Sequence, residues 1–369
     1  MIVAGEASGD LHGANLVRAI QARKENLFFC GIGGGMMRDA GVRIMADVGE
    51  LSVVGATEVA SKLPNLIRVL TMVKRLLKSL RPDLLILIDF PGFNLRVAPL
   101  AKKLGIPILY YISPQVWAWR SGRVKQIRKL VDHMAVILPF EKDFYGQHGI
   151  RVTFVGHPLL DNRSQLTGKD SAQPGKDPFI VGLLPGSRDK EIARHLPLLM
   201  GAADILSRQI EGLKFLVSLA PTVKRSYLQK LIAEHEGESD CRLVGGGAEK
   251  VFEKCGFAIA ASGTVSLEAA VWGVPMLIIY KVSPVSYWLG RILVQVEHIG
   301  LVNLIAGEEV VPELIQDQAT PGNIAANALA LLNHPARLEQ MRNRLIKTRE
   351  ALGGPGASER TADIAVGML

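Results

Sequence analysis

MIVAGEASGDLHGANLVRAI (residues 1–20) decides how this chain folds. Met1 to Ala4 is a four-residue apolar run with the character of a buried strand. From Ala14 the apolar positions Leu16, Val17 and Ile20 return at helical spacing, which predicts a helix. Between them Gly5, Glu6, Ser8, Gly9 and Asp10 form a turn of small and acidic residues. A strand-to-helix turn of this kind is where α/β domains bind ligands, because the backbone can be approached closely there. The dinucleotide fingerprint G-x-G-x-x-G is absent, and two acids in the loop would repel a pyrophosphate. The turn therefore suits hydroxyls or acid–base chemistry.

The same alternation continues outward. Apolar runs at 1–4, 28–32, 84–89, 106–112, 133–138 and 152–155 predict the strands of a first half. Runs at 179–184, 213–219, 241–244, 257–260 and 274–280 predict those of a second. Residues 161–177 (DNRSQLTGKDSAQPGKD) are polar and without period, and read as a linker. The expected organisation is thus a first domain at 1–160, a second at 178–350, and a terminal helix within 351–369. Two helical segments, 322–351 and 357–367, are expected after Thr320, separated by Gly353-Gly354-Pro355-Gly356. Both halves read as doubly wound α/β domains facing a central cleft.

At 369 residues and 48% hydrophobic, the chain is long enough for two cores. Cys30, Cys241 and Cys255 are far apart and form no C-x-x-C pair, which argues for a reducing compartment and against a disulfide framework or zinc site. No signal-peptide pattern opens the sequence, and no apolar stretch approaches the ~20 residues of a membrane span. A cytoplasmic location is expected. The net charge of +8 points to anionic partners without choosing among them.

Five stretches could carry chemistry. LLPGSRDKEI (183–192) passes from strand through Gly186, Ser187 and Arg188 into a helix, and is either an anion site or an ordinary turn with a solvated Arg. AASGTVSLEAA (260–270) repeats that plan. Ser262, Gly263 and Thr264 can donate to phosphate and Glu268 can accept from a ribose, or Thr264 is an N-cap and Glu268 a first-turn acid. LILIDFPGFN (85–94) puts Asp89 at the end of a buried strand, where it is a general base or a loop cap, and Glu6 and Asp10 invite the same comparison. WAWRSGRVKQIRK (117–129) reads as a solvated helix face beside core aromatics in preference to a nucleic-acid surface. LPNLIRVLTMVKRLLKSLR (63–81) is a basic amphipathic helix that either packs on the sheet or touches lipid.

GEASGD, DFPGFN, SPQVWAWR, LPFEKDFY, FVGHPL, LLPGSR, ASGTVSLEA and NLIAG occur in the order seen in lipid-A-disaccharide synthases, and the resemblance spans essentially the whole chain. It implies a GT-B fold, two Rossmann-like domains with C-terminal helices crossing back to the first. It also implies an inverting glycosyltransferase of Gram-negative bacteria that joins UDP-2,3-diacylglucosamine to 2,3-diacylglucosamine 1-phosphate (lipid X), releasing UDP. By resemblance Glu6, Ser8 and Gly9 line the acceptor side and Asp89 is the base, with Glu6 as the other candidate. Arg188, Ser262, Gly263, Thr264 and Glu268 would hold UDP, with Asn303 completing the lining. The reaction implies no cofactor and no metal centre.

The substrates carry acyl chains, so an anionic membrane surface is the expected peripheral partner and nucleic acid is not. Val54, Val59, Leu63, Leu66, Ile67 and Leu70 are the expected lipid contacts, with Lys62, Arg68, Lys74, Arg75, Lys78 and Arg81 toward the leaflet. A homo-oligomer stays open. The related transferase acting on a polyprenyl-linked precursor would show a G-G-T-G-G-H loop where this chain has G-E-A-S-G-D.

Overall fold

The computed structural model describes residues 1–47, 56–119, 121–161, 177–283, 287 and 297–369, with backbone alone for 56–63, 119 and 121. The chain divides into two compact units, Met1–Leu166 with Leu352–Leu369, and Thr167–Ala351.

The first unit is built on seven parallel strands: β1 (Ile2–Ala4), β2 (Cys30–Gly33), β3 (Arg43–Asp47), β4 (Leu85–Ile88), β5 (Ile108–Tyr111), β6 (His133–Val136) and β7 (Val152–Phe154). Their order is β3-β2-β1-β4-β5-β6-β7. The chain winds one way from β1 and the other way from β4, so the switch point falls between these two strands. β1, β4 and β5 are buried throughout, as a sheet covered on both faces requires.

The second unit holds β8 (Asp177–Leu184), β9 (Lys214–Ser218), β10 (Cys241–Val244), β11 (Cys255–Ala261), β12 (Met276–Tyr280) and β13 (Glu313–Ile315). All pairings are parallel, in the order β10-β9-β8-β11-β12-β13. Here the switch point lies between β8 and β11.

The two strands missing from the sequence reading are β3 and β13, each at a sheet edge. β3 begins on an exposed Arg43 and β13 is only three residues long, so neither has the unbroken apolar run of a central strand. The single helix expected at 322–351 is two, Pro321–Leu332 and Pro335–Ala351. Pro335 disfavours helical conformation at His334 and forces the break.

Residues 162–176 of the expected linker lie outside the described residues, and both of its ends are corrected. Asp177 opens β8. Asp161 is buried and caps the terminal helix Ala357–Gly367. Its Oδ1 accepts from the Gly356 and Ala357 N–H groups at 2.7 and 3.0 Å, and its Oδ2 from the Ser358 N–H and Oγ–H at 3.1 and 3.0 Å. Arg360 completes the clasp, donating to the Val155, Pro355 and Gly354 carbonyls. Gly156 of FVGHPL has φ +83°, and a Cβ there would lie 2.7 Å from Arg360 Nη2. Only glycine lets the clasp close.

Hydrogen bonds to a buried charge contribute more than neutral ones. Asp161→Ala should therefore lower the unfolding free energy by about 3 kcal/mol and open the terminal helix to amide exchange. Denaturant melts with peptide-resolved exchange check this, and unchanged protection of 357–367 would show that the helix docks without the cap.

Candidate functional site

At the first switch point the chain leaves β4 in an unusual way. Asp89 and Phe90 both lie in the left-handed region, at φ +43° and +44°. For residues with a Cβ this costs roughly 1–3 kcal/mol each, so something must hold it. The Asp89 carbonyl accepts from the Tyr110 hydroxyl and the Asn94 amide, both at 2.6 Å, and Asn94 also donates to Ile88 O at 3.2 Å. The turned-out Phe90 ring then covers Gly5, where a Cβ would sit 2.2 Å from ring carbons. GEASGD and DFPGFN are thus one packed unit.

Burial pushes the Asp89 carboxyl up to about 6, helped by the negative charge of Glu6 and opposed by the Phe90 N–H. A carboxyl so tuned is a competent base near neutrality. Glu6 and Ser8 are exposed at the start of the helix Ala7–Gln21. Two expectations are corrected here. Gly9 is buried, 3.3 Å being the approach of a Cβ there to the Ala4 methyl, so it serves helix–strand packing and not an acceptor surface. Asp10 is spent on the fold, accepting from the Gly34, Met36 and Met37 N–H groups at 2.6, 3.0 and 3.1 Å.

Glu141 was not foreseen. It is buried, and accepts from the Ser113 hydroxyl, the Trp117 indole and the Leu138 N–H at 2.5, 2.9 and 3.1 Å. It thereby joins SPQVWAWR to LPFEKDFY, and burial raises its carboxyl to about 7. Trp117 also packs at right angles to Phe140, with ring centroids 4.9 Å apart, and so belongs to the packing of this unit.

The helix Ala56–Leu80 packs on this unit through buried Val69, Val73 and Leu77. Leu66 and Leu70 are partly buried against the same core, so these two expected lipid contacts are in part core residues. Ile67 is 55% exposed. Val54, and the side chains of Val59 and Leu63, lie outside the described residues.

The second switch point carries the other motifs. Pro185 to Arg188 follow β8, and Ser262 to Thr264 follow β11. Gly186 has φ +122°, and a Cβ there would lie 2.9 Å from Glu191 Oε2, so this turn requires glycine. Glu191 accepts from the Ser187 N–H at 3.2 Å and from Arg188 Nη1 at 2.7 Å. The turn already binds a carboxylate of its own chain, which is what an anion-binding helix start does.

The helix Val265–Trp272 begins at Thr264, whose hydroxyl makes no capping bond. A Cβ at Gly263 would meet no atom within 4 Å, so the surface before this turn is open. Ser262 Oγ donates to Ile299 O at 3.3 Å. Glu268 is largely buried, its carboxyl raised by burial and by Glu249, and among the described residues no donor reaches it. A desolvated carboxylate without a protein donor fits one reserved for ligand hydroxyls.

Asn303 is corrected. It is fully buried, its Oδ1 accepting from Val310 and Val311 N–H and its amide donating to Val311 O and Glu313 Oε1. Its side chain has no bonding capacity left for a nucleotide.

A family model described as lipid-A-disaccharide synthetase matches residues 1–366. The lipid-A-disaccharide synthase of Syntrophus aciditrophicus is 48% identical over 373 residues, covering 100% of this chain and 97% of that protein. The chain belongs to the lipid-A-disaccharide synthetase family. Members of this family are glycosyltransferases that join UDP-diacylglucosamine to lipid X. The fold agrees. A putative UDP-N-acetylglucosamine 2-epimerase from Listeria monocytogenes superposes with a TM-score of 0.65 at 13% identity, over 100% of this chain and 94% of that one. MurG of Acinetobacter baumannii does so at 0.58 and 16%, over 99% and 97%. The fold is GT-B.

Tyr110→Phe removes one of the two bonds that hold the Asp89 carbonyl and keeps the ring. Turnover should fall about tenfold with the Michaelis constants little changed, as loss of one hydrogen bond at a strained residue predicts. Steady-state kinetics decide it, and unaltered turnover would show that the Asp89 backbone holds without Tyr110.

Proposed function

We propose that this chain performs the family's transfer with Asp89 as the proton acceptor and the second unit as the donor-binding half. The primary hydroxyl of lipid X attacks the anomeric carbon of the UDP-linked sugar. As that C–O bond forms, its proton passes to the Asp89 carboxylate. The bond to the leaving phosphate breaks, its electron pair departs with UDP, and the anomeric carbon inverts. Arg188, the Ser187 N–H and the helix start at Gly263 and Thr264 stabilise the diphosphate charge, displacing the Glu191 carboxylate. Glu268 accepts from the ribose hydroxyls, and Glu6 stands beside the acceptor.

The observation that carries this reading is the match between motif and topology. Ligands of parallel α/β sheets bind where the winding reverses. In the first unit that point holds Glu6 and Asp89, and in the second the 185–188 and 262–264 turns. Acid–base residues fall in one unit and anion donors in the other.

Among the described residues no helix is long and apolar enough to cross a membrane. The exposed Ile67, with Arg68, Lys74, Arg75, Lys78 and Arg81 on or just after the same helix, supports a peripheral approach to an anionic leaflet.

UDP release measured with and without lipid X tests the reaction. Release should require lipid X, and equal release without it would point to another acceptor. Asp89→Asn should lower turnover by ~10²–10⁴ with UDP affinity retained. Near-parental turnover would move the base to another group, Glu6 first. Glu268→Ala should weaken UDP binding by ~1.5–3 kcal/mol in calorimetry, and unchanged affinity would remove Glu268 from the site.

A further inference from the structure

His195 lies in the helix Asp189–Gln209 that follows the Pro185–Arg188 turn, and it is only 4% exposed. All of its partners are backbone groups beyond strand ends. Nδ1 lies 3.2 Å from the Pro185 carbonyl oxygen, just past β8. Nε2 lies 3.2 Å from the Lys281 nitrogen and 3.1 Å from its carbonyl oxygen, just past β12. Burial holds the imidazole below its ordinary pKa. The neutral ring donates from Nδ1 to Pro185 and accepts at Nε2 from the Lys281 N–H.

The sheet order gives this tie its meaning. β11 lies between β8 and β12, so one ring joins the segments just past the two strands that flank the one leading into Ser262 and Gly263. Val282 is gripped again from the turn after β13, where the Gln316 amide accepts from its N–H at 2.8 Å and donates to its carbonyl at 3.3 Å. Arg194 adds a bond to Lys281 O at 3.4 Å. Lys281 and Val282, just past β12, are thus fixed from two elements, and the Pro185 turn is fixed to Lys281 through His195.

We infer that His195 is a positioning residue of the donor site. Its ring sets the separation between the Pro185–Arg188 turn and Lys281 just past β12, and through it the grip on the diphosphate of a sugar nucleotide. The inference rests on the donor reading above. A purely structural histidine would stabilise the unit without bearing on nucleotide affinity.

Two variants cut the tie at opposite ends. His195→Asn keeps an amide near Nδ1 and nothing near Nε2, and His195→Gln reaches toward Lys281 and leaves Pro185. Each should raise the calorimetric Kd for UDP, and the KM for the UDP-sugar, by about tenfold, with kcat and the KM for lipid X held. Lower melting temperatures with unchanged UDP affinity would overturn the inference, provided that Arg188→Ala weakens UDP binding. If Arg188→Ala also binds UDP normally, the donor reading fails and takes the inference with it. The unsubstituted protein supplies a check that depends on no variant. UDP should slow amide exchange at Lys281 and Val282, and exchange there that ignores UDP would overturn the proposal.

Discussion

The Asp89 carbonyl accepts two short hydrogen bonds, from the Tyr110 hydroxyl and the Asn94 amide, and on these depends the way the chain leaves β4. Without them two successive residues with side chains would not stay in the left-handed region. Because they do, the Phe90 ring turns onto Gly5 and stacks on Phe93, its centroid 5.4 Å away. That contact joins the end of β4 to the end of β1 across the switch point. The carboxyl of Asp89 is left where burial and the charge of Glu6 both favour its protonated form. The turn at this position thus holds a carboxyl that burial, with the charge of Glu6, raises to about 6, which is the property the proposed base requires.

In the proposed reading the second unit uses the same topology for the opposite electrostatic purpose. Its switch point gathers helix starts and an arginine, and the Glu191 carboxylate occupies donors there that an anionic ligand would use. Glu268 stands apart from those donors as a desolvated carboxyl. A proton acceptor needs a site that disfavours negative charge, whereas a diphosphate needs one that welcomes it. Dividing these needs between two sheets keeps either from spoiling the other.

Much of this was legible in the sequence because parallel strands buried on both faces write unbroken apolar runs. The edge strands β3 and β13 do not, and they were missed for that reason. The motif residues after the strands were legible too, since Asp89, Arg188 and Thr264 stand where a strand gives way to a helix. What a polar side chain does at such a place was not. Asn303, Asp10 and Asp161 read as ligand-facing or solvated residues, yet each turns inward to satisfy backbone groups that meet only after folding. Tyr110, Glu141 and His195 escaped notice for the complementary reason. Each has a partner far away in sequence, 21, 28 and 86 residues off, that no local pattern reveals.

The proposed transfer needs Asp89 as an unprotonated base with a raised pKa, and the pH dependence of kcat/KM tests this most directly, since it reports ionisations of the free enzyme. A carboxylate that must accept a proton is inactive once protonated, so kcat/KM should fall on the acid side with a midpoint near 6. A profile that stays level down to about pH 4.5, near the range of an unperturbed carboxyl, would contradict it.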